Sequence, residues 1–348
     1  MTNQVQIINP IDSPRWDERI LATGRATFFH SAAWAATLAE TYRYRPCYFA
    51  LLTDDQEIRA MVPLMEVQSF ITGRRGVSLP FSDCCEHISE NAIDTACLLA
   101  CILYYGKKQG WNSLELRPGG KIAADRPLSN TYLGHTLSLS PGEEALFSSF
   151  RESTRRNIKK ALAAEVICTT GNSLQAVEQF YTLNCLTRKR HGIPPQPFSF
   201  FRNVHKHILS RNMGNIVLAF HKEKAIAGAV YFHFGRRAMY KYGASNSDCQ
   251  QLRANYLVMW HAIRHYARQG FESMDMGRTD PDNHGLVQYK NGWSTRSEEI
   301  AYYKYSLNKR LPLPLPKKSG PSFSERIVPH LPIPVLRIIG SVAYRHVA

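Results

Sequence analysis

Apolar residues recur along this chain with two periods, and the periods divide it into elements. In residues 28–44, Trp34, Leu38 and Tyr42 fall at i, i+4 and i+8, which predicts a helix with Ser31 in the cap position. Residues 47–53 and 58–67 are short apolar runs on either side of Asp54-Asp55-Gln56, the composition of a hairpin. An extended segment over 76–81 stops near Pro80. A helix over 91–109 is closed by Gly110. A strand over 111–117 is broken at Pro118-Gly119-Gly120, and residues 132–139 form a further strand.

After Pro141-Gly142 a helix is predicted over 143–164, with Glu143 and Glu144 at the positive end of its dipole. Phe147, Phe150, Ile158 and Leu162 make its apolar face; Arg151, Arg155 and Lys159 lie on another, with Arg156 and Lys160 beside them. Helices over 174–191 and 199–211 follow, then a hairpin of strands 216–221 and 225–234 around Lys222-Glu223-Lys224. Next come a strand over 238–244, a helix over 254–269 stopped by Gly270, and strands over 273–276 and 300–307. His284-Gly285 is read as a turn.

The fold class is therefore α/β, with mixed α+β sheets, in two parts. Both parts share a rhythm that suggests duplication: Gly110-Trp111 before Leu114-Glu115-Leu116 matches Gly270-Phe271 before Met274-Asp275-Met276. The expected domains are 1–140, 141–308 and a tail of 309–348. Leu311 to Pro316 alternates Leu and Pro, a polyproline-like spacer. Residues 327–348 are apolar with interspersed arginines. Such a segment either lies on a membrane surface or packs on the body, and Pro329, Pro332 and Pro334 favour packing by interrupting any long helix.

Charge sharpens this division. Residues 1–140 hold 13 Lys+Arg against 14 Asp+Glu, while 141–348 hold 30 against 14. One-sided basicity points to an anionic partner for the second part: nucleic acid, a nucleotide-linked substrate or an anionic membrane. No stretch approaches about 20 uninterrupted apolar residues, so no membrane span is expected. The start of the chain has no secretory pattern, and the eight cysteines are expected as free thiols in the cytoplasm.

The segment richest in chemistry is 275–293. It begins at a strand end, where α/β proteins place ligands. Gly277 permits a close turn, and Arg278 projects after it. Lys290 lies between Tyr289 and Trp293, so a partly desolvated ammonium could stabilise the oxyanion of an acyl-transfer intermediate. Asp275, His284 and Asp280 are candidate proton acceptors for an attacking amine. Arg278, Arg188 and Arg190 suit phosphate oxygens. Asp83-Cys84-Cys85-Glu86-His87 imitates a metal cluster, but adjacent cysteines are poor co-ligands, and no metal is expected. Cys185 lacks a base one helical turn away and is read as a buried free thiol.

These motifs, in this order, resemble the FemAB family and its relatives with an N-acyltransferase (GNAT) domain. Asp275, Gly277, Arg278, Thr279, Gly285, Tyr289, Lys290 and Trp293 match one pattern. Arg155 to Ala161 resembles the family's basic helix, Thr187 to Pro194 its T-R-x-R-x-G-x-P turn, and Tyr242-Gly243-Ala244-Ser245 its strand end. In the first half, Phe29-His30-Ser31 with Trp34, Val62-Pro63-Leu64 and Ser78 to Phe81 also fit. The resemblance covers residues 28–305 and implies two tandem GNAT-like domains and an acyltransferase. It implies a role in the reaction for Lys290, and substrate contacts for Thr279, Tyr289, Trp293, Tyr242 and Arg155. The expected activity is N-acylation of an amine on a cell-envelope or polysaccharide precursor. The alternatives are an aminoacyl-tRNA-dependent transferase and an inactive module that binds anionic glycan or nucleic acid. The donor, acyl-CoA or aminoacyl-tRNA, stays open, because residues 246–255 lack the glycines of the usual CoA pyrophosphate loop. Two departures favour the exopolysaccharide-associated branch: no coiled-coil insertion is visible, and Ser294 stands where the pattern has glycine.

Overall fold

One local device is used twice in this fold: a helix that carries the chain between two parallel strands. The computed structural model describes residues 4–119, 128–308 and 327–347. Among them the chain forms two units. The first holds residues up to Leu133, then 299–308 and 344–347; the second holds Gly134–Glu298 and 327–343. The division falls inside a strand (Leu128–Ser138) rather than at the expected boundary of 140. The tail is not a body of its own, because its helix packs on the second unit.

In the first unit, β1 (Val5–Ile8), β3 (Tyr48–Leu52) and β4 (Ile58–Val62) form one antiparallel sheet. A second sheet runs through β2 (Arg45–Pro46), β5 (Met65–Ser69), β6 (Gly73–Val77) and β7 (Ser113–Gly119) to β14 (Arg296–Ser306). Helix α1 (Trp16–Ala22) precedes α2 (Ala32–Tyr42), where Ser31 accepts from Trp34 N at 3.2 Å and Trp34, Leu38 and Tyr42 are buried, as the periodicity predicts. Helix α3 (Ala92–Lys108) joins β6 to β7, which pair in parallel from Arg75–Ser113 to Val77–Glu115. Pro118 does not end β7; it sits at a register irregularity against β14, where a missing N–H is tolerated.

In the second unit the strand order is β8 (Leu128–Ser138), β13 (Ser273–Asp275), β12 (Arg237–Ser245), β11 (Lys224–Phe234), β10 (Gly214–His221), β9 (Ile167–Gly171). All neighbours are antiparallel except β12 and β13, which α8 (Ala254–Arg268) connects. Gly110 and Gly270 close α3 and α8 with φ of 71° and 77°, so the rhythm seen in the sequence is a repeated helix stop before a parallel strand. Helix α8 packs on β10 and β11 beneath α5 (Glu152–Ala163), and α6 (Leu174–Arg190) covers β11 and β12. Side-chain alternation puts Tyr231 on the α8 face and Phe232, with Tyr242, on the face of α7 (Phe198–His207).

Three expectations change. The helix predicted over 143–164 is two, α4 (Glu143–Ser149) and α5, because Phe150 turns inward against Trp260 and Trp293 while Arg151 N donates to Gly292 O at 3.0 Å. Local periodicity does not register that tertiary contact. The turn read at His284 is instead the start of α9 (His284–Asn291), capped by Asn283, which accepts from Leu286 N at 3.2 Å. In the tail, α10 (Ile333–Ala343) forms because Pro334 falls in its first turn, where no backbone donor is needed. The polyproline-like spacer lies outside the described residues. No helix among the described residues is long and apolar enough to cross a membrane.

Helix α10 is held on the second unit by Leu336, which is fully buried, by Arg337 over the ring of Tyr181 at 5.3 Å, and by Gly340 against the backbone of Pro195. A side chain at Gly340 would collide with the Pro195 carbonyl. Gly340→Val is expected to cost about 1–3 kcal/mol and to speed hydrogen exchange across 333–343. Exposed Ser341→Ala serves as the control, and equal exchange in both variants would show that the contact does not hold the helix.

Candidate functional site

The site follows from how briefly β12 and β13 pair. Only Arg237–Met239 and Ser273–Asp275 are in register; β13 then stops and β12 continues to Ser245. An extra residue, Lys241, enters β12 where the register shifts between Tyr240 and Tyr242, which turns Tyr240 and Gly243 toward one face. A cleft of about 360 Å³ opens there, with Tyr240, Gly243, Ala244 and Ser245 as one wall. That volume lies within the range of small-molecule and cofactor sites. Gly243 is required because any larger residue would meet the Tyr240 hydroxyl.

Two further elements complete the cleft. Thr187 in α6 donates to Ser245 O at 3.1 Å and accepts from Ser245 N at 2.9 Å, tying α6 to the end of β12. The tie sets Arg190 and His191 on the rim. Opposite them, α8 begins at the cleft with Arg253, Ala254 and Asn255 in the wall, and no side chain caps its N-terminus. The loop noted for lacking the glycines of the usual CoA cradle is built in another way. Residues Ser247–Leu252 make a short 3-10 turn, and Arg253 itself takes the left-handed conformation, φ 57°. A helix N-terminus with Arg190 and Arg253 beside it has the charge to suit an anion.

Burial keeps the Tyr240 phenol protonated, with its pKa raised to about 12. His191 is held below its ordinary value, first by loss of solvent and then by the charges of Arg190 and Arg188, so it is a neutral imidazole at pH 7.

Of the residues singled out in the sequence, Arg190 and Tyr289 line the cleft. Tyr242 points to the other face, among Phe200, Phe201 and Phe232. Trp293 is fully buried against Phe150 and Tyr256. Arg155 Nη1 donates to Ser148 O at 3.2 Å, Arg188 is half-buried in the last turn of α6, and His284 is exposed at the start of α9.

Asp280 is exposed, while Asp275, Arg278, Thr279 and Lys290 form a clamp at the end of β13. Lys290 is 3% exposed, and its Nζ donates to Gly277 O at 2.8 Å and Arg278 O at 3.1 Å. Asp275 Oδ1 accepts from Gly277 N at 2.7 Å, and Gly277 has φ 73°. Thr279 is buried, and its hydroxyl has no hydrogen-bond partner among the described residues. His135 in β8 was invisible to sequence reading. It is fully buried, with Nδ1 3.1 Å from Ser297 Oγ, and its pKa is lowered to about 4 by burial and then by the Lys290 charge. Tyr240 was also not singled out; the Y-G-A-S strand end, which begins two residues after it, was the nearest signal, whereas Thr187 opens the T-R-x-R-x-G-x-P motif and Arg253 lies in the loop noted for its lack of glycine.

The first unit closes the equivalent space. Ser78 N donates to Glu115 O at 2.8 Å, extending the β6–β7 pairing. Cys85 N donates to Arg117 O at 2.7 Å, and the returning segment leaves a cavity of only about 10 Å³ lined by Cys85 and His87. The segment that imitates a metal cluster therefore fills that space. Among the described residues no three His, Cys, Asp or Glu side chains converge as a metal site. Burial raises the Cys85 and Cys185 thiols, which makes both poor nucleophiles.

Residues 148–291 match the family described as the acetyltransferase (GNAT) domain. Over 91 residues the chain is 34% identical to a lipid II:glycine glycyltransferase of Staphylococcus saprophyticus, covering 24% of this chain and 22% of that protein. Over 164 residues it is 23% identical to the UDP-N-acetylmuramoylpentapeptide-lysine N(6)-alanyltransferase of Weissella viridescens, covering 47% and 48%. The chain thus spans about a fifth and about half of these relatives. A crystal structure of FemX superposes with a TM-score of 0.69 at 14% identity, covering 88% of this chain and 98% of that one.

Lys290→Met would leave the Gly277 and Arg278 carbonyls without their charged donor, at a cost of about 1–3 kcal/mol each. Removing the charge also raises the His135 pKa from about 4 toward 6.5. His135 in the unfolded chain binds a proton near 6.5, so its contribution to stability is full above that pH and is lost as pH falls toward 4. In the variant the loss ends at a higher pH. Titration of the His135 ring by NMR checks this, and an unmoved pKa would break the proposed coupling.

Proposed function

Because the chain is a FemAB-like protein with a GNAT domain, we propose that it moves an acyl or aminoacyl group from an anionic donor onto an amine of a cell-envelope precursor. The observation that carries this is the cleft where β12 leaves β13, with strand edge along one wall and Arg190, Arg253 and the α8 N-terminus at its mouth. A phosphate-bearing donor binds at the mouth, and its acyl arm extends along β12.

In the reaction the acceptor nitrogen attacks the donor carbonyl, the tetrahedral intermediate collapses, and the donor oxygen or sulfur leaves. The ammonium proton passes to neutral His191 on the rim, and the Tyr240 hydroxyl protonates the leaving atom. Product release returns the proton from His191 to Tyr240 through solvent. Asp275 and Lys290 act as positioning residues, fixing Gly277 and Arg278 from two sides. His284 is set aside as the base because it does not line the cleft, whereas His191 does.

Both donors fit this scheme, but two observations favour an aminoacyl ester over a thioester. A phenol at about 12 protonates an alkoxide more readily than a thiolate, whose acid lies near 8.5. The two relatives are also named for glycyl and alanyl transfer. The preference for the exopolysaccharide branch weakens, since Ser294 holds φ 58°, the conformation the missing glycine would adopt. The acceptor amine is open to a direct assay with muropeptide and amino-sugar substrates.

Arg190→Glu and Arg253→Glu are each expected to raise the donor KM by roughly tenfold at low salt, with a smaller effect at high salt. Aminoacyl-tRNA and acyl-CoA compared in the same assay identify the donor. Unchanged KM in both variants would remove the cleft from consideration. His191→Gln is expected to lower kcat by about a hundredfold or more and to abolish the acid limb of the pH profile, which lies below 6.5 because the folded pKa is depressed. An acid limb that survives the substitution would reassign the base.

A further inference from the structure

Helix α10 is apolar on two faces. Leu336 and Gly340 turn into the second unit and are buried. Val335, Ile338, Ile339 and Val342 recur at i, i+3, i+4 and i+7 and are 41, 66, 38 and 60% exposed. Single apolar residues on a surface are ordinary, but four branched aliphatics along one helix face are not. We infer that this stripe docks on the surface of a bilayer containing anionic phospholipid, with α10 lying in the plane of the headgroups.

Three observations select this occupant. First, the stripe presents at most a few hundred Å², well short of the roughly 800 Å² per partner that a stable second copy would bury. Insertion of one apolar helix face into the headgroup and acyl boundary needs no larger area. Second, α10 carries Arg337 and no acidic residue. Third, α10 packs on α6, whose last turn carries Arg188, Lys189 and Arg190, and the Pro194-Pro195 segment that follows is the one touching Gly340. Exposed aliphatics beside a cluster of cations, with no acid in the helix, match a negatively charged membrane interface. The inference goes beyond the transfer reaction, since neither donor nor acceptor enters it.

The test uses the full chain and vesicles free of any lipid-linked precursor. The wild type is expected to float with phosphatidylcholine–phosphatidylglycerol vesicles, and much less with phosphatidylcholine alone. The double variant Ile338→Glu/Val342→Glu should lose about tenfold or more of this binding while keeping its melting temperature, because both side chains are exposed. Ile338→Trp should shift its emission to the blue when mixed vesicles are added. The inference is overturned if the wild type stays unbound, if the double variant floats equally well, or if the Ile338→Trp emission does not move. It is also overturned if light scattering finds a wild-type dimer that the double variant dissolves, since a second copy would then cover the stripe.

Discussion

Three residue pairs between β12 and β13 set the geometry of the second unit. Parallel strands joined by a helix must be bonded somewhere, and here the bonding stops at Met239 and Asp275. Beyond that point β12 runs on to Ser245 with Thr187 holding its end. Longer pairing would close the wall of the cleft, and shorter pairing would not hold β12 beside β13. The first unit makes the same parallel pair but extends it through Ser78 and fills the remaining space with the segment around Cys85. One arrangement, repeated, thus gives an open site in one unit and a packed interior in the other.

The charges are arranged by depth. Arg190 and Arg253 stand at the mouth of the cleft, where an anion could be met with little desolvation. Lys290 is buried, and its cost is offset by two backbone carbonyls. Its charge adds to burial in keeping His135 neutral. An ammonium held in this way fixes a loop, and the loop carries Arg278. The burial of Lys290 and the left-handed Gly277 are therefore parts of one constraint.

Much of the fold was legible in the sequence. Helices α2, α3, α6 and α8 follow from apolar periodicity, with Ser31 as the cap of α2 and glycines after α3, α6 and α8. The hairpin of β10 and β11 follows from its apolar runs and charged turn. The break at Phe150 was not legible, because it depends on Trp260, Trp293 and the carbonyl of Gly292, all more than a hundred residues away. In the site, Arg190 and Tyr289 were visible as members of motifs, while Tyr240 was not, because its orientation depends on the extra residue at Lys241.

The sequence by itself determined the class of the fold, the order of most elements and the basic character of the second part, and suggested the duplication, because these rest on local periodicity, turn chemistry and composition. It also marked residues 275–293 as the stretch richest in chemistry, through the density of Gly, Arg, Lys and aromatic residues. Only the tertiary structure decided what each of them faces. Lys290 and Tyr289 are neighbours in the chain, yet one is buried against backbone carbonyls and the other lines a cleft. Successive side chains on a helix point about 100° apart. A motif therefore names residues that lie close together, while the packing around the helix decides which of them faces the cleft and which holds the loop.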